Sequence, residues 1–437
     1  MIKFNNISIK LLAIASYHTQ ILNQFGKFSL FFLSPHSYAK LSKSTINKIK
    51  NIVNKYHPIK LYYLCLKPVK NQKIYVHIGM PKTGSSAIQA FLALNKKYLK
   101  NNGFSYPNHT GFKQAFQTSA GNAAEISAWI KNENFEMFER FITKVRSKNV
   151  ILSSEILFAS LRDYPEKFAL FFSKYDIKII CYIREMGDLV ESVVNQRIKN
   201  HNLVDYSNIE NNIAGINYYH CLLNAIRYID SKNIIIKKYQ KESFYQGNIY
   251  ADFMKILGLE LSANINLPEK NVNPSLNRDA LEFRIIFNKV LFGKNNIQLK
   301  YRLNSELAHY SVENQIKPIC LLLSSEKRTK IKSNNREIEK KFIEIFFSNS
   351  DEDLFINKPL NFKHYKGLTH KTILQILIFI KTHDQELFYI LIKFCQDSLL
   401  IDDRKKLEKA IESINDMSQH TQISATKQMK SNNKEKS

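Results

Sequence analysis

A short stretch around residue 80 constrains the fold of this chain more than any other feature of its sequence. Residues 74–78 form an apolar run that predicts a buried strand, and a glycine-containing loop and a helical pattern from Ser85 to about Tyr98 follow it. Further apolar runs separated by helical patterns predict three more strands, at 150–152, 177–183 and 234–236. Strands that alternate with helices of this length predict an α/β fold with a central parallel sheet.

Composition excludes disorder as a description of the whole chain, because 44% of its 437 residues are hydrophobic. Helical patterns continue at 280–292, 326–347 and 370–415. The sequence predicts four regions, which are a lysine-rich N-terminal extension of unknown role at 1–72, an α/β domain at 73–360, a helical C-terminal extension at 361–417 and a disordered polar tail at 418–437.

The charge is strongly positive and unevenly distributed. The chain has 64 basic and 38 acidic residues, which gives a formal net charge of +26. Before Glu125, the first acidic residue, the sequence contains 17 lysines. This asymmetry points to nucleic acid, an anionic membrane surface or an anionic small molecule as a partner, without choosing among them.

Cysteine spacing and hydropathy favour a cytoplasmic protein. The five cysteines lie at wide, irregular intervals, so neither a disulfide framework nor a structural metal site is predicted. The apolar run at 11–15 is short for a signal peptide, and those at 373–380 and 387–394 are far shorter than a membrane span. The basic N-terminal region leaves peripheral association with the inner face of the membrane as an option.

The loop at 79–86 is typical of an anion-binding site. A glycine loop between a strand and a helix presents backbone N–H groups and the positive end of the helix dipole to a phosphate. Gly79 and Gly84 have the spacing of the nucleotide-triphosphate loop, but Lys82 lies inside the loop and Ser85 stands where that motif requires lysine. An ATPase or GTPase is therefore disfavoured, and an ordinary turn with a helix cap at Ser85 is the plain alternative.

These loop residues carry a family resemblance. The segment Pro81-Lys82-Thr83-Gly84-Ser85-Ser86 resembles the 5′-phosphosulfate loop of sulfotransferases that use 3′-phosphoadenosine 5′-phosphosulfate (PAPS). The resemblance covers roughly 73–360 and implies a P-loop NTPase-like three-layer fold with PAPS as co-substrate. It implies that Lys82 contacts the bridging and sulfonyl oxygens. Thr83, Gly84, Ser85 and Ser86 would hold the 5′-phosphate through backbone and hydroxyl groups, and Pro81 is counted with them among the cofactor-binding residues.

A second anion site is implied for the 3′-phosphate of PAPS. Arg184 follows a predicted strand and Ser192 lies eight residues later, which is the spacing of the family's 3′-phosphate pair. A guanidinium suits a phosphate because it donates in a planar fork. A surface salt bridge from Arg184 to Glu185 or Asp188 is the alternative. Asn273 and Ser275 lie in a segment that resembles one that closes over the nucleotide in bacterial sulfotransferases.

Sulfuryl transfer to a hydroxyl needs a base and cationic groups, and in principle no metal. Glu155 follows the strand at 150–152, where soluble family members carry a Lys-x-His, and it is the first candidate for the base. His109, 27 residues after Lys82, is the second candidate. The alternatives are a helix-capping role for Glu155 and a solvated loop position for His109.

The function that the resemblance implies is sulfation of a carbohydrate or glycolipid hydroxyl. A P-loop nucleotide or sugar kinase is a second hypothesis and would need magnesium beside the loop. A non-enzymatic nucleic-acid-binding protein is a third. It is disfavoured because the sequence has no recognised nucleic-acid-binding motif, and lysines such as Lys43 and Lys48 suit a solvated helix face.

Overall fold

The computed structural model describes residues 72–107, 121–145, 147–207, 216–262, 265–268, 275–291, 297–314, 322–347, 354–355, 365–398, 405 and 407–414. The chain divides into two compact units. The first contains the described residues up to Glu185 together with those of 216–269 and 335–356. The second contains those of 186–215, 270–334 and 357–437. The predicted boundaries at 72/73, 360/361 and 417/418 stay predictions, and both predicted terminal regions lie almost wholly outside the described residues.

The first unit is built on a five-stranded parallel sheet. Its strands are β1 Lys73–Ile78, β2 Phe104–Ser105, β3 Asn149–Ser154, β4 Asp176–Ile183 and β5 Ile234–Lys238. Their order across the sheet is β2-β3-β1-β4-β5, and each neighbouring pair is parallel. The predicted α/β class and all four predicted strands are confirmed, and β2 is an additional short strand.

Strand β1 lies at the centre of this sheet. Ile74 pairs with Val150 of β3 on one side and with Ile177 of β4 on the other, and all three side chains are fully buried. A strand with neighbours on both edges and helices on its faces is buried on both faces, so its sequence is mostly apolar rather than alternating. The continuous run at 74–78 follows from that position.

Helices form most of the remaining described structure. In chain order they are α1 Ser85–Leu94, α2 Lys96–Asn101, α3 Ala124–Lys131, α4 Phe135–Thr143, α5 Ile156–Asp163, α6 Pro165–Phe171, α7 Met186–Asn200, α8 Tyr218–Ala225, α9 Ile249–Ile256, α10 Arg278–Leu291, α11 Ile297–Glu313, α12 Ser325–Phe346, α13 His370–His383 and α14 Gln385–Ser398. Helices connecting parallel strands in this way are consistent with a three-layer α/β arrangement.

The helix predicted from Ser85 to about Tyr98 is two helices, α1 and α2, separated at Asn95. The Asn95 side chain donates to the carbonyls of Phe91 and Asn266, both at 2.8 Å, and accepts from the Asn266 amide at 2.9 Å. A side chain that bonds to backbone in this way competes with helical hydrogen bonds. The single-helix prediction was wrong because these bonds to Asn266 come from a residue 171 positions away.

The second unit is helical in its described part. Helices α10, α13 and α14 belong to it and match the predicted helical patterns, whereas α11 is an addition to them. Arg284 of α10 is fully buried and bonds to the Asn304 side chain at 3.0 Å and to the Lys199 carbonyl at 3.3 Å. Burial lowers the pKa of Arg284 to about 10. A buried guanidinium bonded in this way ties α10 to α11 and to the end of α7.

Among the helices described, none combines the length and the apolar composition that a bilayer span requires.

Histidine 77 is a polar residue in the buried strand β1. It is fully buried, its Nδ1 lies 2.8 Å from the Ser153 hydroxyl, and its ring meets Phe253 edge-on at 5.5 Å. Burial lowers the pKa of His77 from 6.5 to about 3. Folded His77 is therefore neutral across the pH range in which an unfolded histidine takes up a proton.

This depressed pKa predicts acid sensitivity of the first unit. Between pH 6.5 and pH 4 the unfolded state binds the extra proton, so stability falls as the pH falls, by about 3 kcal/mol for this one group at a slope of roughly 1.4 kcal/mol per pH unit. His77→Asn retains a partner for Ser153 but cannot titrate, and we expect it to lose that much less stability over the same range. Urea unfolding followed by the fluorescence of Trp129, the single tryptophan of the chain, measures both proteins. Identical pH dependence would show that His77 is not a buried neutral group.

Candidate anion-binding site at the carboxyl edge of the sheet

The carboxyl ends of three adjacent strands bring the predicted site residues together. Strands β3, β1 and β4 are neighbours and parallel, so the residues that follow them emerge at one edge of the sheet. The loop that begins at Gly79 follows β1, Glu155 follows β3 and Arg184 follows β4. The connections leaving β1 and β3 run in opposite directions across the sheet, which opens a crevice at this edge.

The loop after β1 has a tightly specified backbone. The Gly79 amide donates to the Ser154 carbonyl at 3.1 Å, and the Thr83 hydroxyl donates to the Met80 carbonyl at 2.7 Å. Both Lys82 and Gly84 have left-handed backbone angles, with φ of 65° and 77°. This conformation is uncommon for a lysine and occurs most often where the surrounding structure enforces it, as at ligand-binding loops.

The loop leads directly into the first turn of α1. The first helical hydrogen bond runs from the Ile88 amide to the Gly84 carbonyl at 3.0 Å, so the amides of residues 85–87 precede it. These amides and the helix dipole give the loop a positive potential. The alternative of a helix cap at Ser85 is not observed, because the capping position is Gly84 and no side chain caps the helix.

Glutamate 155, which follows β3, packs against the loop. A Cβ built on Gly79 would lie 3.1 Å from Glu155 Cγ and 2.7 Å from Ser85 Cβ, so only glycine allows this approach. The buried Ser85 hydroxyl donates to the Glu155 carboxylate. Glu155 occupies the N-cap position of α5, but its side chain makes no capping hydrogen bond there. The carboxylate is therefore directed at the loop, and the capping alternative does not describe its contacts.

Arginine 184 approaches the loop from β4. Its Nη1 donates to the Lys82 carbonyl at 3.2 Å, and its guanidinium carbon lies 5.7 Å from the centre of the Tyr239 ring. The Tyr239 amide in turn donates to the Ile183 carbonyl at 2.6 Å, which continues the pairing of β4 with β5. Arg184 thus contacts the loop that contains Lys82 and the aromatic residue that follows the next strand.

Three charged side chains influence one another at this edge. Partial burial lowers the pKa of Lys82, the Glu155 carboxylate raises it, and the Arg184 guanidinium lowers it further. Lysine and arginine thus add positive charge to a loop that already presents helix amides, while one carboxylate lies against them. The chemistry of this arrangement suits an anion, with a carboxylate beside it that could accept a proton.

The other predicted site residues differ in their burial and in the unit to which they belong. Thr83 and Ser85 are buried, Pro81 is half-buried and Ser86 is exposed on the first turn of α1. Ser192 of α7 and exposed Ser275 lie in the second unit. His109 and Asn273 lie outside the described residues. The residues that the structure brings together in the first unit are Pro81, Lys82, Thr83, Gly84, Ser85, Ser86, Glu155 and Arg184.

Tyr239 is part of this site although the sequence pattern did not assign it there. A Cβ on Gly84 would lie 2.8 Å from the Tyr239 ring and 2.7 Å from Ile249 Cδ1, so the ring packs directly on the loop. The signal that could have found it is its position immediately after β5, since residues that follow parallel strands meet at one edge. Tyr239 and Ile249 together fix the second glycine of the loop.

Comparisons with known proteins identify one relative and no family. No family model matches the chain. An uncharacterised protein of Archaeoglobus fulgidus is 27% identical over 179 residues, which are 41% of this chain and 44% of that protein. The chain thus spans less than half the length of this curated relative.

Close packing on Gly84 predicts a steric cost for a side chain there. We expect Gly84→Ala to lower the free energy of unfolding of the first unit by about 1–3 kcal/mol more than Gly258→Ala does, since inserting a methyl group into a packed position costs that much. Gly258 is a matched control because its φ of +73° is close to the +77° of Gly84, whereas a Cβ there meets nothing within 4 Å. Urea unfolding monitored by Trp129 fluorescence gives the comparison. Equal losses would mean that the backbone angle alone matters.

Proposed function

We propose that this protein is a PAPS-dependent sulfotransferase that moves a sulfuryl group to a hydroxyl of a carbohydrate or glycolipid, on a P-loop NTPase-like three-layer fold. The observation that carries the proposal is the convergence of Lys82, Glu155 and Arg184 on one helix-initiating loop. These three residues come from three different strand ends. They are the cation, base and second cation that the family resemblance requires.

The loop suits the 5′-phosphosulfate group of PAPS. Amides at the start of α1 are directed at the place where an anion binds a helix N-terminus. The Lys82 ammonium supplies a point charge beside them, and the exposed Ser86 supplies a hydroxyl. Such fixed donors stabilise negative charge that develops on a leaving phosphate, because they need little reorganisation during the reaction.

The reaction is an in-line displacement at sulfur. The acceptor oxygen forms a bond to sulfur while the bond from sulfur to the 5′-phosphate oxygen breaks, and the acceptor proton passes to Glu155. Negative charge moves onto the departing phosphate, where Lys82 and the helix amides stabilise it. The contact with Ser85 holds the Glu155 carboxylate beside the loop, which positions the base close to the transferred group.

The kinase hypothesis receives less support from the loop. Buried Ser85 occupies the place of the lysine that grips the β- and γ-phosphates in triphosphate loops, and it is bonded to Glu155. Asp176 begins β4, in register with Lys73, and is therefore at the opposite edge of the sheet from the loop. A carboxylate there is out of reach of a magnesium ion at the phosphates.

Cofactor binding tests the two cations. We expect Lys82→Ala and Arg184→Ala each to weaken the binding of adenosine 3′,5′-bisphosphate, the product of PAPS, by roughly tenfold or more. A hydrogen bond to a charged group contributes about 1.5–3 kcal/mol, and 1.4 kcal/mol is a factor of ten. Isothermal titration calorimetry on the full chain, with and without magnesium, provides the measurement.

Matched controls remove one positive charge elsewhere in the same unit. Lys174→Ala and Arg140→Ala alter exposed residues whose ion pairs are with Glu139 and Glu136, away from the loop. Both should leave the affinity unchanged. The proposal fails if wild-type protein does not bind the bisphosphate, if the controls weaken binding as much as the site variants, or if binding requires magnesium.

Transfer activity tests the base separately from binding. Glu155→Gln keeps the shape of the side chain but cannot accept a proton, so we expect the rate of transfer from PAPS to fall by about 10²–10⁴-fold, the usual contribution of general base catalysis. The affinity of Glu155→Gln for the bisphosphate should stay within about threefold of the wild-type value, a difference of under 1 kcal/mol in binding free energy. The rate is the release of bisphosphate from PAPS with a panel of hexosides and glycolipids as acceptors. Loss of activity in His109→Ala with full activity in Glu155→Gln would transfer the role to His109.

A further inference from the structure

A group of metal-binding side chains lies in the second unit, and the proposed transferase chemistry does not use it. His309 and Glu313 are four residues apart on α11, and His383 is the last residue of α13. One donor atom from each of the three side chains lies within 4.8 Å of the others, and all three residues are exposed. Among the described residues, no other group of three or more histidine, cysteine, aspartate or glutamate side chains brings its possible ligand atoms this close together.

Helical spacing explains why His309 and Glu313 are together. Residues four apart lie on the same face of a helix, and His309 Nε2 is 2.8 Å from Glu313 Oε1. A helical ion pair would account for these two residues alone. It does not account for His383, which comes from another helix and whose ring centre lies 4.9 Å from that of His309.

The third side chain is held in an orientation that suits ligation. His383 Nδ1 lies 2.9 Å from the Phe379 carbonyl, so this nitrogen carries the proton and donates it to the backbone. The lone pair of the imidazole is then on Nε2. Metal-binding histidines usually have this second hydrogen bond, because it fixes both the ring orientation and the protonated nitrogen.

An aromatic residue supports both imidazoles. The Phe379 ring centre is 5.2 Å from that of His309 and 4.1 Å from that of His383. Phe379 lies one turn before His383 on α13 and so packs between the two helices at this point. The two imidazoles therefore share one rigid apolar support, which limits how far they can separate.

The helices that carry these ligands are also joined by ion pairs. Arg302 of α11 donates to Asp384, immediately after His383, at 2.6 Å and 3.0 Å, and it also pairs with Glu386 at 3.0 Å. A bidentate arginine–carboxylate contact fixes geometry as well as supplying energy. These ion pairs hold α11 and the end of α13 in place, and a selective metal site requires that its ligands lie on elements fixed in this way.

We propose that His309, Glu313 and His383 bind a divalent transition metal ion of the zinc class. Two imidazole nitrogens and one carboxylate oxygen are a ligand set that zinc uses, with water in the fourth position. Donor atoms must come to about 2 Å from the ion, which exposed side chains reach by small rotations. The bound ion joins α11 to the end of α13 and so stabilises the second unit.

Metal titration of the full chain without a polyhistidine tag tests this site. Zn²⁺ binding is measured by calorimetry, and Co²⁺ is used as a probe because its visible absorption reports the coordination geometry. We expect His383→Ala and Glu313→Gln each to weaken Zn²⁺ binding by roughly tenfold or more. Removing a residue that merely hydrogen-bonds to a metal ligand already lowers metal affinity by about that factor, and removing the ligand itself should lower it at least as much. His201→Ala is the matched control, since it removes an exposed histidine of the same unit outside the cluster.

Two readouts separate a site from adventitious binding. Zn²⁺ should raise the melting temperature of the wild-type and His201→Ala proteins, and this increase should be lost in His383→Ala and Glu313→Gln. The increase is measured for each variant against its own melting temperature in EDTA, so that packing or hydrogen bonds lost by the substitution itself do not count. Glu313→Gln decides the matter if His383→Ala does not fold. The proposal is overturned if the control loses as much affinity as the cluster variants, or if Glu313→Gln binds Zn²⁺ as tightly as wild type.

Discussion

The pairing of β1 with β3 on one side and β4 on the other is the constraint on which the first unit depends. Because all three strands are parallel, their carboxyl ends must meet at one edge of the sheet. A buried central strand needs a mostly apolar sequence. Where it ends, the chain must turn away from the sheet close to the ends of the neighbouring strands. Gly79 and the left-handed turn at Lys82 and Gly84 provide that exit, and the same turn exposes the amides that begin α1.

Much of this fold was predictable because its main determinants are local. Continuous apolar runs predict buried parallel strands, and β1, β3, β4 and β5 were all found in this way. The two-residue strand β2 is too short to have a periodicity. The interruption at Asn95 depends on Asn266, far along the chain, and no local pattern contains that information. Helix α11 has its buried Leu299, Leu303 and Leu307 at a spacing of four residues, so its amphipathic pattern was present in the sequence although it was not predicted.

The positions of the candidate site residues were predictable because they follow directly from the predicted strands. Residues 81–86, Glu155 and Arg184 each follow a strand, so knowing the strands and their parallel direction is enough to place them at one edge. The individual contacts were not predictable. That the Glu155 carboxylate accepts from Ser85, and that Tyr239 covers Gly84, depends on side-chain packing between residues 70 and 155 positions apart.

The distribution of charge now has a physical meaning at the loop. Because the sequence before Glu125 contains no acidic residue, the carboxylate that reaches Lys82 must come from another element, and Glu155 supplies it from the end of β3. Burial favours the neutral form of Lys82, whereas Glu155 favours its charged form. The Glu155 carboxylate thus partly offsets the lowering of the Lys82 pKa by burial and by Arg184, and the segment around Lys82 adds no further negative charge to the loop. In the proposed transfer reaction, the same carboxylate, held by Ser85, accepts the proton of the acceptor hydroxyl.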